Sequence, residues 1–297
     1  MTAKLTGPLL GRHTLRVGHV MNHIEGYFQG VRNANIYYQA WRPEADAKAV
    51  LLLVHGLGEH CGRYGRLASH FANLGYAVYG FDHIGHGKSE GRREYIERFD
   101  DYTDTLTAFY QLVNNAQTGK PIFLLGHSMG GLVATHYLID HQDKFHGAVI
   151  SSPSLKVSAN IPPAIIMLGK LLSIIAPKQG LMALDTRTLS RDPETVSACA
   201  NDPLVFHGKT PARLAAELLK AMQRATSELD KITLPFIVLQ GSEDKIVDPA
   251  GAHLLYGQAR SKDKTFKFYK GLYHEVFNEP ERGQVLHDVE TWLDSLL

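Results

Sequence analysis

At 297 residues the chain can bury a substantial core, as one large α/β domain or two ordinary ones. Its 31 Lys and Arg against 30 Asp and Glu leave a net charge of +1 with no Lys/Arg-rich block, which argues against a nucleic-acid partner. Two cysteines, Cys61 and Cys199, exclude a disulfide framework and lack metal-ligand spacing, and no run approaches the roughly 18 apolar residues of a membrane span.

The first 21 residues are basic and Gly-rich, and Lys4, Arg12, His13 and Arg16 interrupt their apolar positions, unlike an export signal. They read as a loosely held arm on a soluble, cytoplasmic protein. Ile24 to Gln29 and Ala34 to Trp41 read as strands of a hairpin, separated by Gly30 and Asn33. Strand and helix signals then alternate. Val50 to His55 is a buried strand, Tyr64 to Leu74 a helix ended by Gly75, and Tyr76 to Phe81 a strand. Asp101 to Asn115 is a helix, Ile122 to Leu125 a strand, Met129 to His141 a helix and Ala148 to Ser151 a strand. The closing set is Phe236 to Gln240 (strand), Ala250 to Ala259 (helix), Phe266 to Tyr269 (strand) and Glu281 to Leu297 (helix). Runs such as Ala49-Val-Leu-Leu-Leu-Val54 belong to strands covered on both faces, hence an α/β chain with a mostly parallel sheet flanked by helices. Residues 154–232 break the rhythm with helical patterns and no convincing strand. We read them as a helical cap inserted into a core made of 1–153 and 233–297.

Ile122-Phe-Leu-Leu-Gly-His-Ser-Met-Gly-Gly131 runs a strand into Gly-x-Ser-x-Gly around Ser128. On such a tight strand-to-helix turn the hydroxyl projects clear of the sheet, and the places two residues either side have no room for side chains. Ser128 is therefore the candidate nucleophile. A serine hydroxyl needs a base, and the base an orienting carboxylate; in the α/β-hydrolase order these follow the serine along the chain. Among 16 histidines, His274 lies in a loop just past the last strand, whereas His253 and His287 fall within helix patterns. Asp244 stands just beyond a strand end. Asp248 precedes Pro249 and suits a helix cap instead, and Glu243 points away from Asp244 in an extended segment. The oxyanion donors expected are the backbone N–H groups of Met129, at a helix start, and of Leu57, in His55-Gly-Leu-Gly-Glu-His60. Asp82, His83 and His86 read as a turn at a strand end rather than metal ligands. No metal site and no cofactor are assigned.

Five segments together resemble the monoacylglycerol lipases of the α/β-hydrolase superfamily: His55-Gly-x-Gly-Glu-His-x-Gly-Arg-Tyr64, Asp82-His-x-Gly-His-Gly-x-Ser-x-Gly91, Gly126-His-Ser-Met-Gly-Gly131, Gln240-Gly-Ser-x-Asp244 and Tyr273-His274. The similarity runs from about Gly26 to Trp292. It implies an esterase that removes one fatty acyl chain from glycerol with Ser128, Asp244 and His274 as its triad, and it places Leu57 and Met129 at the oxyanion hole. Relatives that grip glycerol carry polar side chains where this chain has Cys199 and Phe277, which leaves Glu59 and Arg63 as the polar candidates for the alcohol end. The competing reading of that pair is a salt bridge that steadies the loop. A carboxylesterase or lysophospholipase is the alternative activity; an aminopeptidase and a binding protein on the same scaffold are further rivals. The expected partner is a fatty-acyl ester, with no obligate protein partner.

Within the insertion, Ala164 to Ala176 between Pro163 and Pro177 reads as a helix with one narrow polar stripe, Gly169, Lys170 and Ser173. It is either buried on nearly all sides, or meets lipid on one apolar face while another lines an acyl tunnel, giving transient membrane or micelle contact. Pro211 to Ala225 is an ordinary amphipathic helix with Leu214, Leu218 and Met222 inward.

Overall fold

The computed structural model describes residues 21–157 and 163–297; the N-terminal arm, up to residue 20, lies outside them. In chain order come β1 (Met21–Gln29), β2 (Asn35–Pro43), β3 (Ala49–Val54), α1 (Gly65–Asn73), β4 (Tyr76–Phe81), α2 (Asp100–Ala116), β5 (Ile122–His127), α3 (Met129–His141) and β6 (Gly147–Ser151). The segment that follows holds α4 (Pro163–Ile175), β7 (Gly180–Met182), α5 (Pro193–Asn201), β8 (Thr210–Pro211) and α6 (Ala212–Ser227). β9 (Phe236–Gly241), α7 (Ala250–Gln258), β10 (Lys264–Tyr269) and α8 (Arg282–Asp294) complete the chain.

Eight strands form one sheet in the order β1-β2-β4-β3-β5-β6-β9-β10. The hairpin pairs without a break from Met21 opposite Pro43 to Gln29 opposite Asn35, and its turn is closed by Arg32 and Asn33 at positive φ. From β4 to β10 every pairing is parallel. The central strands are buried along their whole length. Their period-2 alternation splits the core in two. Val50, Leu52, Val54, Ile122, Leu124 and Ile150 face a layer that includes α2, α3 and α6, while Leu51, Leu53, Phe123, Leu125, Val149 and Ile237 face α1 and α8. Parallel register aligns the carboxyl ends: Val54 is opposite Gly126, His127 opposite Ser151, and Tyr269 opposite Gly241. Loops leaving β3, β5, β9 and β10 therefore emerge along one sheet edge, where α/β sheets gather ligands.

β6 and β9 are hydrogen-bonded neighbours, with Ala148 opposite Phe236, although 84 residues separate Ser151 from Phe236. Two features of the intervening segment differ from the sequence reading. It contains strand after all, the short pairing of β7 with β8, too brief to leave a period-2 pattern. In α4, Gly169 and Ser173 of the expected polar stripe turn inward; Gly169 packs under Leu181, and the Ser173 hydroxyl donates to the Lys170 carbonyl at 2.6 Å. The outward face is apolar except for Lys170, and Met167 and Ile174 are 72 % and 74 % exposed. No α4 residue is among the described residues that line the cavity at Ser128. α6 buries Leu214 and Leu218 against α3 and the main core, with Met222 packed at its margin.

Candidate active site

Ser128 sits between β5 and α3 with φ 55° and ψ −118°, a left-handed conformation that costs about 1–3 kcal/mol for a residue with a Cβ. Its surroundings hold it there. Its N–H donates to the Ser151 carbonyl at 2.9 Å, and its carbonyl accepts from the N–H groups of Leu132 and Ser154 at 3.1 Å each. The flanking glycines are needed for space: a Cβ on Gly130 would lie 2.1 Å from the Val54 carbonyl oxygen, and one on Gly126 would lie 2.4 Å from the Gly130 oxygen.

His274, Ser128 and Asp244 meet at this edge. His274 Nε2 is 2.8 Å from Ser128 Oγ, and His274 Nδ1 is 2.7 Å from Asp244 Oδ2. Asp244 is fixed by its own loop: Oδ1 accepts from the N–H groups of Ile246 and Val247, and Oδ2 also accepts from Gln240 Nε2. The histidine loop passes so close to the end of β9 that a Cβ on Gly241 would lie 2.2 Å from the Tyr273 carbonyl oxygen. Ser152 Oγ donates to the His274 carbonyl at 2.8 Å and ties that loop to the end of β6. Asp248 does cap α7, accepting from the Ala250 N–H, and His253 and His287 lie on α7 and α8.

Burial alone would push the His274 imidazole down, but the Asp244 carboxylate bonded to it outweighs this and the net shift is upward. Burial would likewise raise Asp244; the charge and hydrogen bond of His274, with the two loop N–H donors, hold it below the ordinary carboxylate range. The pair thus favours an aspartate beside an imidazole that readily takes a proton. His127, whose ring lies 4.9 Å from that of His274, is pushed down to about 3, first by burial and then by the charge of His274. It stays neutral and is bonded to Ser151 Oγ at 3.0 Å.

Above Ser128, the Gly56 N–H is taken by Glu59 Oε1 at 2.6 Å. The next N–H, that of Leu57, and that of Met129 at the first position of α3 have no acceptor among the described residues. Leu57 lines the cavity with Ser128 and His274, and the α3 dipole favours negative charge at Met129.

Glu59 and Arg63 also line the cavity, but both are engaged. Arg63 donates to Glu59 Oε2 at 2.6 Å and forms a two-pronged pair with Glu275, at 2.7 and 2.9 Å. Glu59 Oε1 also accepts from the Tyr64 hydroxyl at 2.6 Å. The salt-bridge reading of this pair therefore describes the geometry, and the chain of bonds extends further than sequence reasoning took it. Glu275 was missed although it adjoins His274, because its partner Arg63 lies 212 residues away in sequence. Asp82 shapes its turn, accepting from the N–H groups of Cys61 and Lys88 at 2.8 Å each. Beyond the charged group the cavity lining is largely apolar, with Leu184, Leu189, Val205, Phe206 and Ile246.

A nucleophile elbow followed along the chain by a carboxylate and then a histidine, each on the carboxyl edge of a mostly parallel sheet, defines a serine hydrolase of the α/β-hydrolase fold. Residues 45–281 match the family described as "Serine aminopeptidase, S33", and the chain belongs to that family. It is 37% identical over 273 residues to a monoacylglycerol lipase of Mycolicibacterium smegmatis, covering 92% of this chain and 98% of that protein. A monoglyceride lipase of Rattus norvegicus is 35% identical over 261 residues, 87% of this chain and 86% of the relative. The crystal structure of the Paleococcus ferrophilus monoacylglycerol lipase superposes with a TM-score of 0.80 at 35% identity, covering 88% of this chain and 99% of that one.

Proposed function

We propose that this protein hydrolyses carboxylic esters of fatty acids, with monoacylglycerol as substrate and glycerol and free fatty acid as products. The observation that carries the chemistry is the unbroken chain of bonds from Asp244 through His274 to Ser128, at 2.7 and 2.8 Å. His274 takes the Ser128 proton as Oγ attacks the ester carbonyl, while Asp244 holds the imidazole in the required tautomer and stabilises its cation. The Leu57 and Met129 N–H groups receive the negative oxygen of the tetrahedral intermediate. His274 then returns the proton to the leaving alcohol, and a water molecule repeats the sequence on the acyl-enzyme. What favours a monoacylglycerol over the peptides in the family's description is the set of lipase relatives that match nearly the whole chain, together with the apolar cavity wall.

Residues 154–232 act in this reading as the cap under which the acyl group enters. The outward apolar face of α4 is its lipid contact: Ile165, Met167, Leu168, Leu171, Ile174 and Ile175 are exposed together, a patch of the kind that marks a docking surface. No helix among the described residues is long and apolar enough to cross a membrane, so this contact would be peripheral.

Hydrolysis of monoacylglycerols, diacylglycerols, lysophospholipids and short aryl esters, by the wild type and by Ser128→Ala, tests the reading. Monoacylglycerol should lead the panel, and the variant should lose at least about 10³-fold in kcat on every ester. Full activity of Ser128→Ala ends the mechanism; a preference for lysophospholipids or short esters replaces the substrate. Changing Met167, Leu171 and Ile174 to Ser should weaken sedimentation with neutral vesicles while soluble aryl esters are still cleaved. Unaltered sedimentation removes the lipid-contact role.

A further inference from the structure

Glu275 is 4% exposed, follows His274 directly and lines the cavity. Both its oxygens are bonded to Arg63, and Oε2 also accepts from Asn278 Nδ2 at 2.8 Å. Arg63 is shared with Glu59, so two carboxylates face one guanidinium and one formal negative charge is left over. Among the described residues of the cavity wall only the His274 imidazole could offset it, and Asp244 already faces that ring. Arg63 is the sole Lys or Arg among the described residues lining the cavity, His127 is neutral, and His60 is turned to Asp202 at 2.9 Å. The charge is buried, where screening by salt is weak.

The position of this charge decides which part of a substrate feels it. The leaving alcohol must lie beside His274 Nε2 to receive its proton, and Glu275 adjoins His274. Resting on the ester-hydrolase reading above, we infer that Glu275 is a specificity-determining residue: its uncompensated charge selects against esters whose leaving alcohol is anionic, and admits neutral or cationic alcohols. An anion placed there would meet like charge and find no free cation, since the guanidinium is already taken by the two carboxylates. The same bonds keep the Arg63 guanidinium from gripping a phosphate, as an unpaired arginine would.

The test holds the acyl chain constant and varies the alcohol: choline (cationic), glycerol (neutral) and glycerol phosphate (anionic), each as a monoacyl ester in the same neutral micelle. In the wild type, kcat/KM should be highest for the cationic and neutral esters and far lower for the phosphate. Glu275→Gln removes the extra charge, and its neutral-to-anionic ratio should shrink by about tenfold or more. Because the ratio is taken on one preparation, a smaller folded fraction cancels from it. If Glu275→Gln does not fold, Glu59→Gln removes the other carboxylate and should move the ratio the same way. Equal cleavage of the neutral and phosphate esters by the wild type overturns the inference, as does an unchanged ratio in the folded variants. A wild type that leaves all monoacylglycerols intact defeats the functional reading instead. The charge order is then read from phenyl acetates bearing a carboxylate or a trimethylammonium group.

Discussion

Burial disfavours the charged form of the His274 imidazole, yet Asp244 at 2.7 Å more than reverses the effect, so the group titrates above 6.5 in the folded protein. The sign of the pH dependence follows. In the mechanism proposed above the imidazole must be neutral to accept the Ser128 proton, so kcat/KM should fall on the acid side as pH drops through this raised pKa. Asp244→Asn removes the strongest of the charges that raise it, leaving burial opposed only by the carboxylates of Glu275 and Glu59. The acid limb should move to lower pH, while kcat falls about 10⁴-fold because the tautomer is no longer held. A pH–rate profile of both proteins reads the two effects separately; a limb that stays in place in Asp244→Asn contradicts this account. The three side chains were legible because each carries a local mark: the glycine-flanked serine, the aspartate at a strand end, the histidine after the last strand. The bonds from Arg63 to Glu275 were not, since nothing within either segment's own sequence points to the other.

Elements were easier to place than their facings. The central strands fell close to expectation because a run such as Ala49–Val54, apolar at every position, has few alternatives in a chain of alternating α and β signals. For α4 the pattern showed where the polar residues sit but not which side packs. Gly169 and Ser173 are inward because small side chains let the helix approach Leu181 closely, so a nominally polar stripe became the packed one. Close approach also separates the elbow from its neighbours. A methyl on Gly130 would meet backbone oxygens of Val54 and His55 at 2.1 and 2.5 Å, and backbone cannot turn aside as a side-chain end can. Gly130→Ala should therefore destabilise by about 1–3 kcal/mol, and it should cut esterase activity at least roughly tenfold by displacing the loop that begins at His55, where the mechanism proposed above places an oxyanion donor. Gly257 in α7 is the contrast, with nothing within 4 Å of its would-be Cβ and an ordinary helical φ. Gly257→Ala should raise stability by about 0.4–1 kcal/mol without touching activity. Urea melts and aryl-ester assays of the two variants check both statements.

At the scale of the whole molecule, the segment between β6 and β9 has two jobs, and they divide within it. β6 and β9 are parallel, so the chain leaves Ser151 at the carboxyl edge and must return to the opposite edge before Phe236. Such a crossover needs a dozen residues or more, and α6 supplies it. Leu214, Leu218, Ala221 and Ala225 join the main core on the way, and Gln142 at the end of α3 accepts the N–H groups of Thr233 and Leu234 as the chain re-enters the sheet. Residues 178–210 are different. Their buried apolar residues, Leu189, Cys199 and Val205, form a small separate cluster with Ile246, and the segment's two ends are close because Gly180 pairs with Pro211 and the Arg213 N–H donates to the Pro177 carbonyl at 3.0 Å. Replacing 178–210 with a short glycine linker should leave a cooperatively folding protein with only a modest loss of Tm. It strips Leu184, Leu189, Val205 and Phe206 from the cavity wall. Each acyl methylene no longer covered forfeits about 0.8 kcal/mol, so long-chain esters should lose kcat/KM far more than acetyl esters do. Replacing 156–232 with an equally short linker removes the crossover itself, uncovers core side chains, and should give a chain that binds hydrophobic dyes and melts without a sharp transition. If both deletions behave alike in thermal melts, α6 is not the element that closes the sheet.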